Sequence, residues 1–257
     1  TLALKLKKKI GIIVIGDEIL SGKRQDKHLN AVIKILSDRG LKLEWSIFVG
    51  DSRDLLVKLF KSTLFQGDIV FSFGGIGATP DDHTRHAVAT ALKSNLTLHP
   101  FAKNIIEKKF GDSAYPKRIQ MGYFPKYSSI IENPFNGIPG FSIKENYFLP
   151  GFPEMAWPMM KLILEKKYSK YFKKNKSIDR SILVYGAGES QLIDIMKKCE
   201  KEFPETKIYS LPSIGKKENR IELGVIGDAK VSKLAINFLK KNVLDHGFKI
   251  KKVNLKG

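Results

Sequence analysis

Three times between Ile10 and Lys93 a short apolar stretch runs into a segment with helical spacing, and this alternation restricts the possible folds more than any other feature of the chain. The first stretch, Ile10 to Ile15, is apolar without interruption, as in a strand buried on both faces. "DKHLNAVIKILSDRG" follows, with Leu29, Val32, Ile33 and Leu36 at helical spacing and Gly40 as a stop. "LKLEWSIFV", from Leu41 to Val49, alternates and reads as a second strand. "DLLVKLFKSTL" is helical, with Leu55, Leu56, Leu59 and Phe60 on one face. "DIVFSF", from Asp68 to Phe73, is a third strand, and "DDHTRHAVATALK" a third helix that turns Ala87, Val88, Ala91 and Leu92 inward. Such regular alternation predicts an α/β fold around a mostly parallel sheet.

From Thr97 to Ser142 the periodicity weakens into loops rich in Pro and Gly, such as "NPFNGIPGFS". "YFLPGFPEMAWPMMKLILEKK" then reads as a strand, a proline-rich turn and a helix. The charge run "EKKYSKYFKKNKS" marks a boundary, giving residues 1–175 and 176–257 as two domains. The second holds a strand ("SILVYG"), a helix ("SQLIDIMKKCEKEF"), two strands ("KIYSLPS", "RIELGVIG") and a helix ("KVSKLAINFLKKNV"), a small α+β domain.

Cys199 is the only cysteine, so no intramolecular disulfide forms, and a reducing, cytoplasmic compartment is expected. The first apolar run stops at Asp17 and Glu18, well short of the roughly 20 residues of a membrane span. No small-residue cleavage site follows it, so neither an anchor nor a signal peptide is expected. The net charge of +19 invites a nucleic-acid partner. Yet only seven of the 45 basic residues are arginine, the residue that base reading favours, and the lysines scatter. A solvated, lysine-rich surface with no specific nucleic-acid partner is the expectation.

Carboxylates or glycines stand just beyond four strands. "GDEILSGK" carries Gly16, Asp17, Glu18 and Gly22; "VGDSRD" carries Asp51; "LPGFPE" carries Pro150 and Gly151. "GGIGATPDD" carries Gly74, Gly75, Ile76, Gly77, Ala78 and Thr79, then Asp81 and Asp82. In open α/β sheets ligands bind past the carboxyl ends of the strands, so these residues are candidates for one cleft. The last loop joins two opposed features. The amides of Gly75, Ile76, Gly77 and Ala78 suit a phosphate at a helix start, with Thr79 as cap, Pro80 in the first turn and Asp82 closing an approximate capping box. Asp81 and Asp82, however, repel phosphate. Either they only stabilise the first turn of a helix, or a divalent cation bridges carboxylate and phosphate, as Mg²⁺ commonly does. No Gly-Lys-Ser/Thr follows, as in a Walker loop, and the third glycine of a dinucleotide fingerprint is missing.

Blander readings stand beside these. Gly16 and Gly22 permit bends in a plain turn, and Asp51 caps the next helix. His83 and His86, three apart on a helix, face solvent; Trp45 and Trp157 pack in the core or at its rim. Cys199 has lysine neighbours that lower a thiol's pKa but no histidine partner, so it is not expected to be a nucleophile.

"VIGDEILSGK", "VGD" at Val49 to Asp51, "GGIGATPDDHT", "MGYFP", "FLPGFPEM" and "GAGESQL" occur in that order. On these motifs the chain resembles the competence/damage-inducible protein A family, specifically its N-terminal molybdopterin-binding-like domain. The resemblance implies a Rossmann-like three-layer αβα sandwich followed by a small domain of KH-like topology. That second segment lacks a Gly-x-x-Gly loop, so RNA binding is not expected of it. The family usually has proline where Ala78 stands, which leaves the loop amides in place. Longer members continue into a deamidase domain, so that activity is not expected of these 257 residues.

The resemblance further implies metal-dependent hydrolysis of the pyrophosphate bond of ADP-ribose. Asp17, Asp51 and Asp82 then match acidic positions for metal and substrate, with Asp81 beside them. Gly74, Gly75, Gly77 and Thr79 match the phosphate loop, and Glu18 is a candidate general base. Mg²⁺ or Co²⁺ is the implied cation, with K⁺ as a further ion, and a homo-oligomer is the implied assembly. The alternative is a molybdopterin-binding or adenylyl-transferring protein of molybdenum-cofactor synthesis, with the same loop on the pterin's phosphate. A basic nucleic-acid adaptor is a third reading.

Overall fold

Ile10–Ile15 forms strand β1, and all six of its residues are buried. Ile10, Ile12 and Val14 enter one hydrophobic cluster and Ile13 and Ile15 another, so the strand needs apolar residues at every position. That is why it lacks the polar alternation of a one-sided sheet. The structure, a computed structural model, describes residues 6, 8–173, 177–214 and 219–252. It divides into two compact units, Thr1–Phe172 and Lys173–Gly257. The boundary expected between residues 175 and 176 falls outside the described residues.

In the first unit β1 is followed by α1 (Asp17–Leu20), α2 (His28–Ser37), β2 (Trp45–Val49), α3 (Arg53–Gln66), β3 (Ile69–Phe73) and α4 (Thr84–Ala91). A short ribbon of β4 (Leu96–Leu98) and β5 (Tyr123–Pro125) flanks α5 (Pro100–Phe110). Then come β6 (Ser129–Ile131), β7 (Gly140–Ile143), β8 (Asn146–Leu149) and α6 (Pro153–Ile163). The main sheet runs β2-β1-β3-β8-β7-β6, with β2, β1, β3 and β8 parallel and β7 and β6 antiparallel at one edge. The cluster with Ile12 and Phe71 includes Val32 and Leu36 of α2 and Met159 and Met160 of α6. The cluster with Ile13 and Val70 includes Leu56 and Phe60 of α3 and Ala87 and Val88 of α4. Helices therefore cover both faces, which is the three-layer sandwich.

The periodicity reading needs three corrections. On α2 the inward residue is Ile35, while Ile33 stays 47% exposed. On α3 Leu56 and Phe60 are buried but Leu55 faces out, because one residue's step along a helix turns the side chain by about 100°. The second strand starts at Trp45; Leu41 and Leu43 reach the core from a loop instead.

The second unit runs β9 (Ile178–Tyr185), α7 (Glu189–Glu202), β10 (Lys207–Ile214), β11 (Asn219–Gly227), α8 (Ala229–Asp245) and β12 (Lys249–Lys252). Its sheet is β10-β11-β9-β12, antiparallel throughout. It is the expected small α+β body, and β12 adds a strand to the β-α-β-β-α order. Its own cluster joins Ile182, Val184 and Leu223 to Leu192, Ile195 and Leu239. Cys199 lies inside it, and burial pushes the thiol up to about 11, overriding the lysine neighbours and leaving it inert at neutral pH. Among the described residues no helix is long and apolar enough to cross a membrane.

Candidate functional site

β1, β2, β3 and β8 all end at one edge of the parallel sheet, and their following loops line a single cleft of about 520 Å³. It collects Gly16 and Glu18 from the first loop and Asp51 from the second. Gly74, Gly75, Ile76, Gly77, Ala78 and Thr79, together with Asp81 and Asp82, come from the third loop, and Pro150 and Gly151 from the fourth. Two sequence candidates stand outside it. Gly22 (φ 74°) serves the turn after α1, and Asp17 stands behind Asp51.

The glycine loop is shaped from beneath. Gly75 has φ 68°, a left-handed conformation that side chains disfavour, and a Cβ there would meet the Thr84 hydroxyl. Thr84 Oγ1 donates to the Gly74 carbonyl at 3.0 Å, and its amide donates to Gly75 O at 3.0 Å. At Gly77 a Cβ would press on the Asp82 carboxylate. Arg85, 3% exposed, donates to the carbonyls of Gly77, Gln120 and Tyr123, pinning the loop to the start of β5 and the segment just before it. The Gly74 amide is spent on Leu149 O at 3.0 Å and the Thr79 amide on Asp82 Oδ2 at 2.8 Å. The amides of Gly75, Ile76, Gly77 and Ala78 donate to no described group. Four unpaired amides in a concave loop are an anion acceptor.

The helix behind this loop starts later than the capping pattern predicts. α4 begins at Thr84, its N-cap His83 makes no side-chain cap bond, and Asp81 and Asp82 occupy the preceding turn. Thr79 does not cap a helix; its amide and hydroxyl both donate to Asp82 Oδ2. The two acids are therefore not first-turn helix stabilisers.

Asp17 and Asp51 brace one another. The Asp17 amide donates to Asp51 Oδ2 at 2.9 Å, and the Asp51 amide to Asp17 Oδ1 at 3.2 Å. Gly50 makes room for this, since a Cβ there would collide with the Asp17 carboxylate. Asp51 is no cap of α3, whose N-cap is Ser52. Partial burial raises the Asp51 carboxyl above its ordinary range, and the charges of Asp17, Glu18 and Asp81 push the same way, against the Asp17 amide. Among the described residues no three His, Cys, Asp or Glu side chains converge as a metal-binding set. Asp51 and Asp81 are the lining carboxylates that would hold a divalent ion, since Asp17 does not line the cleft and Asp82 is taken up by Thr79.

Three features of the cleft escaped the sequence reading. Arg24 is the one cationic side chain among its described lining residues. The signal was available, because arginine is rare in this lysine-rich chain. Phe110, Met121, Phe152 and Met155 form an apolar wall beside Asn133 and Asn136. His28 is buried, stacks on Phe73 at 4.4 Å and accepts from Trp157 Nε1 at 3.2 Å through Nδ1. Its Nε2 therefore carries the proton and donates to the Gly151 carbonyl at 3.0 Å, fixing the fourth loop. Burial holds His28 below the usual histidine range, so it is neutral.

The family described as "Probable molybdopterin binding domain" matches residues 11–170. A Clostridium botulinum (strain Loch Maree / Type A3) protein named as competence-damage inducible is 29% identical over 243 residues, 91% of this chain and 58% of that protein. A "CinA-like protein" of Syntrophomonas wolfei is 29% identical over 209 residues, 78% of this chain and 50% of that one. The chain thus spans little more than half the length of these curated relatives. Among solved structures, the protein CinA of Thermoplasma acidophilum, described as of unknown function, is 28% identical, with a TM-score of 0.56 over 62% of this chain and 98% of that one.

Proposed function

The chain belongs to the family of the probable molybdopterin binding domain, and from that premise we propose that it is a divalent-metal-dependent hydrolase of a nucleotide pyrophosphate bond, with ADP-ribose as its substrate. The observation that carries this reading is the meeting, in one cleft, of four unpaired loop amides with the carboxylates of Glu18, Asp51, Asp81 and Asp82. Asp51 and Asp81 would hold a divalent ion, which would supply Lewis-acid polarisation of a phosphoryl group.

The chain's own groups then divide the work. The amides of Gly75 to Ala78 hold the oxygens of one phosphoryl group and stabilise charge that develops on it. Asp82 keeps Thr79 and the loop in shape, and Asp17 sets the position of Asp51. Glu18, which lines the cleft, takes a proton from the water that attacks phosphorus. The bond to the bridging oxygen breaks, and AMP and ribose 5-phosphate leave. The apolar wall of Phe110 and Phe152 suits the flat base.

The test is incubation with ADP-ribose and Mg²⁺ or Co²⁺, followed by chromatography. The expected result is AMP and ribose 5-phosphate in equal amounts, abolished by EDTA. The family description favours a second reading, in which the loop holds the phosphate of a pterin. Saturable pterin binding with no turnover of ADP-ribose would select that reading instead.

A further inference from the structure

We infer that Arg24 is a specificity-determining residue that binds the second phosphoryl group of a diphosphate ligand, so that the cleft discriminates diphosphates from monophosphates. The inference rests on the proposed diphosphate chemistry but adds a residue and a selectivity that the loop alone does not supply.

The backbone around Arg24 is fixed on both sides. After α1, Ser21 N donates to Asp17 O at 2.8 Å and Gly22 N to Ile19 O at 3.2 Å, closing a tight turn. Arg24 N then donates to Glu18 O at 2.9 Å, which carries the residue back over α1. Two residues later the Asp26 carboxylate accepts the amides of His28 and Leu29, both at 2.9 Å, and anchors the start of α2. Between these anchors the Arg24 side chain lines the cleft and is exposed. It makes no ion pair and no hydrogen bond with any described residue, although Glu18, Asp51, Asp81 and Asp82 line the same hollow. A guanidinium presented on a fixed backbone, unpaired beside acids, is poised for a ligand anion.

Its location makes the ligand a diphosphate. The four free amides belong to the loop after β3, and Arg24 to the segment after β1, so two separate elements each offer an anion contact. One phosphoryl group occupies the amide loop. A second, linked to it, meets the planar guanidinium, whose fork matches two phosphoryl oxygens at once. A monophosphate on the loop leaves that fork empty.

The test is calorimetric titration of the full chain with inorganic pyrophosphate and with inorganic phosphate, each with Mg²⁺, for wild type, Arg24→Ala and Arg24→Lys. Loss of a charge-assisted contact predicts roughly 10- to 100-fold weaker pyrophosphate binding in Arg24→Ala, less than about threefold change for phosphate, and partial recovery in Arg24→Lys. Because Arg24 is exposed, the melting temperature stays unchanged and controls for folding. Unaltered pyrophosphate affinity in Arg24→Ala, equal loss for both ligands, or no pyrophosphate binding by the wild type each overturns the inference. Hydrolysis of ADP-ribose is scored separately. Selective pyrophosphate loss without hydrolysis keeps Arg24 and removes the hydrolase, whereas hydrolysis untouched in Arg24→Ala does the reverse.

Discussion

Asp51 is held in an uncomfortable position by its neighbours. Burial and the charges of Asp17, Glu18 and Asp81 all disfavour its ionised form, and the chain compensates only with the Asp17 amide. Its folded value lies above the ordinary 3.8, so between the two values the folded state holds a proton that the unfolded chain has released. Stability therefore falls as pH rises through that window, the opposite of a salt-bridged carboxylate. Asp51→Asn keeps an acceptor for the Asp17 amide and removes the charge. The expected variant is at least as stable as the wild type at pH 7 by urea denaturation, loses the fall in stability across that window, and has no ADP-ribose hydrolysis. A variant that hydrolyses at the wild-type rate would remove Asp51 from the machinery. Asp51 was legible because a carboxylate just past a strand end is a local pattern. His28 was not, because its partners Gly151 and Trp157 lie 123 and 129 residues further along and only the fold brings them near.

At the scale of elements, the glycine loop and α4 show where local pattern reading breaks down. Thr79, Pro80 and Asp82 carry the letters of a helix start, yet the helix waits until Thr84. Asp82 is drawn to the Thr79 amide and hydroxyl, and Thr84 to the carbonyl of Gly74, so the intervening residues turn instead. The loop's glycines were readable as glycines with a purpose; Arg85 was not, since its partners at Gln120 and Tyr123 come from a stretch without periodicity. Burial lowers the Arg85 pKa, with the charge of Asp82 opposing the shift, and the side chain stays a buried cation among carbonyls. Lysine has no planar fork and reaches those three carbonyls poorly. Arg85→Lys is expected to lose about 1.5–3 kcal/mol of stability and to weaken pyrophosphate binding roughly tenfold as the loop amides lose their alignment. Urea denaturation and calorimetry measure the two effects. Full stability with full affinity would mean that Arg85 is not what holds the loop.

The whole molecule carries a net charge of +19, yet its candidate site is the acidic, amide-lined hollow of one unit, so bulk charge is a poor guide to function here. The α/β class, the succession of β1, β2 and β3 along the chain and the presence of a second α+β body were readable because each rests on a repeating pattern. The apolar wall of the cleft was not, since Phe110, Met121 and Phe152 stand at helix ends and in loops, where nothing repeats. The two units keep separate cores: the clusters holding Ile12 and Ile13 draw on the first unit alone, and the one holding Leu223 on the second alone. Separate cores allow separate melting, and a ligand stabilises only the unit that binds it. At 100 times its dissociation constant a ligand adds about 2.7 kcal/mol, which for a body of some 170 residues is roughly 5–10 °C. Scanning calorimetry of the full chain with pyrophosphate and Mg²⁺ should therefore show two transitions, one moved upward by that amount and one left in place. The stationary transition should be the one that Val225→Ala lowers, because Val225 is fully buried in the second unit's core. If pyrophosphate instead moved the transition that Val225→Ala lowers, the anion would be binding to the second unit, and the cleft after β1, β2, β3 and β8 would not be its site.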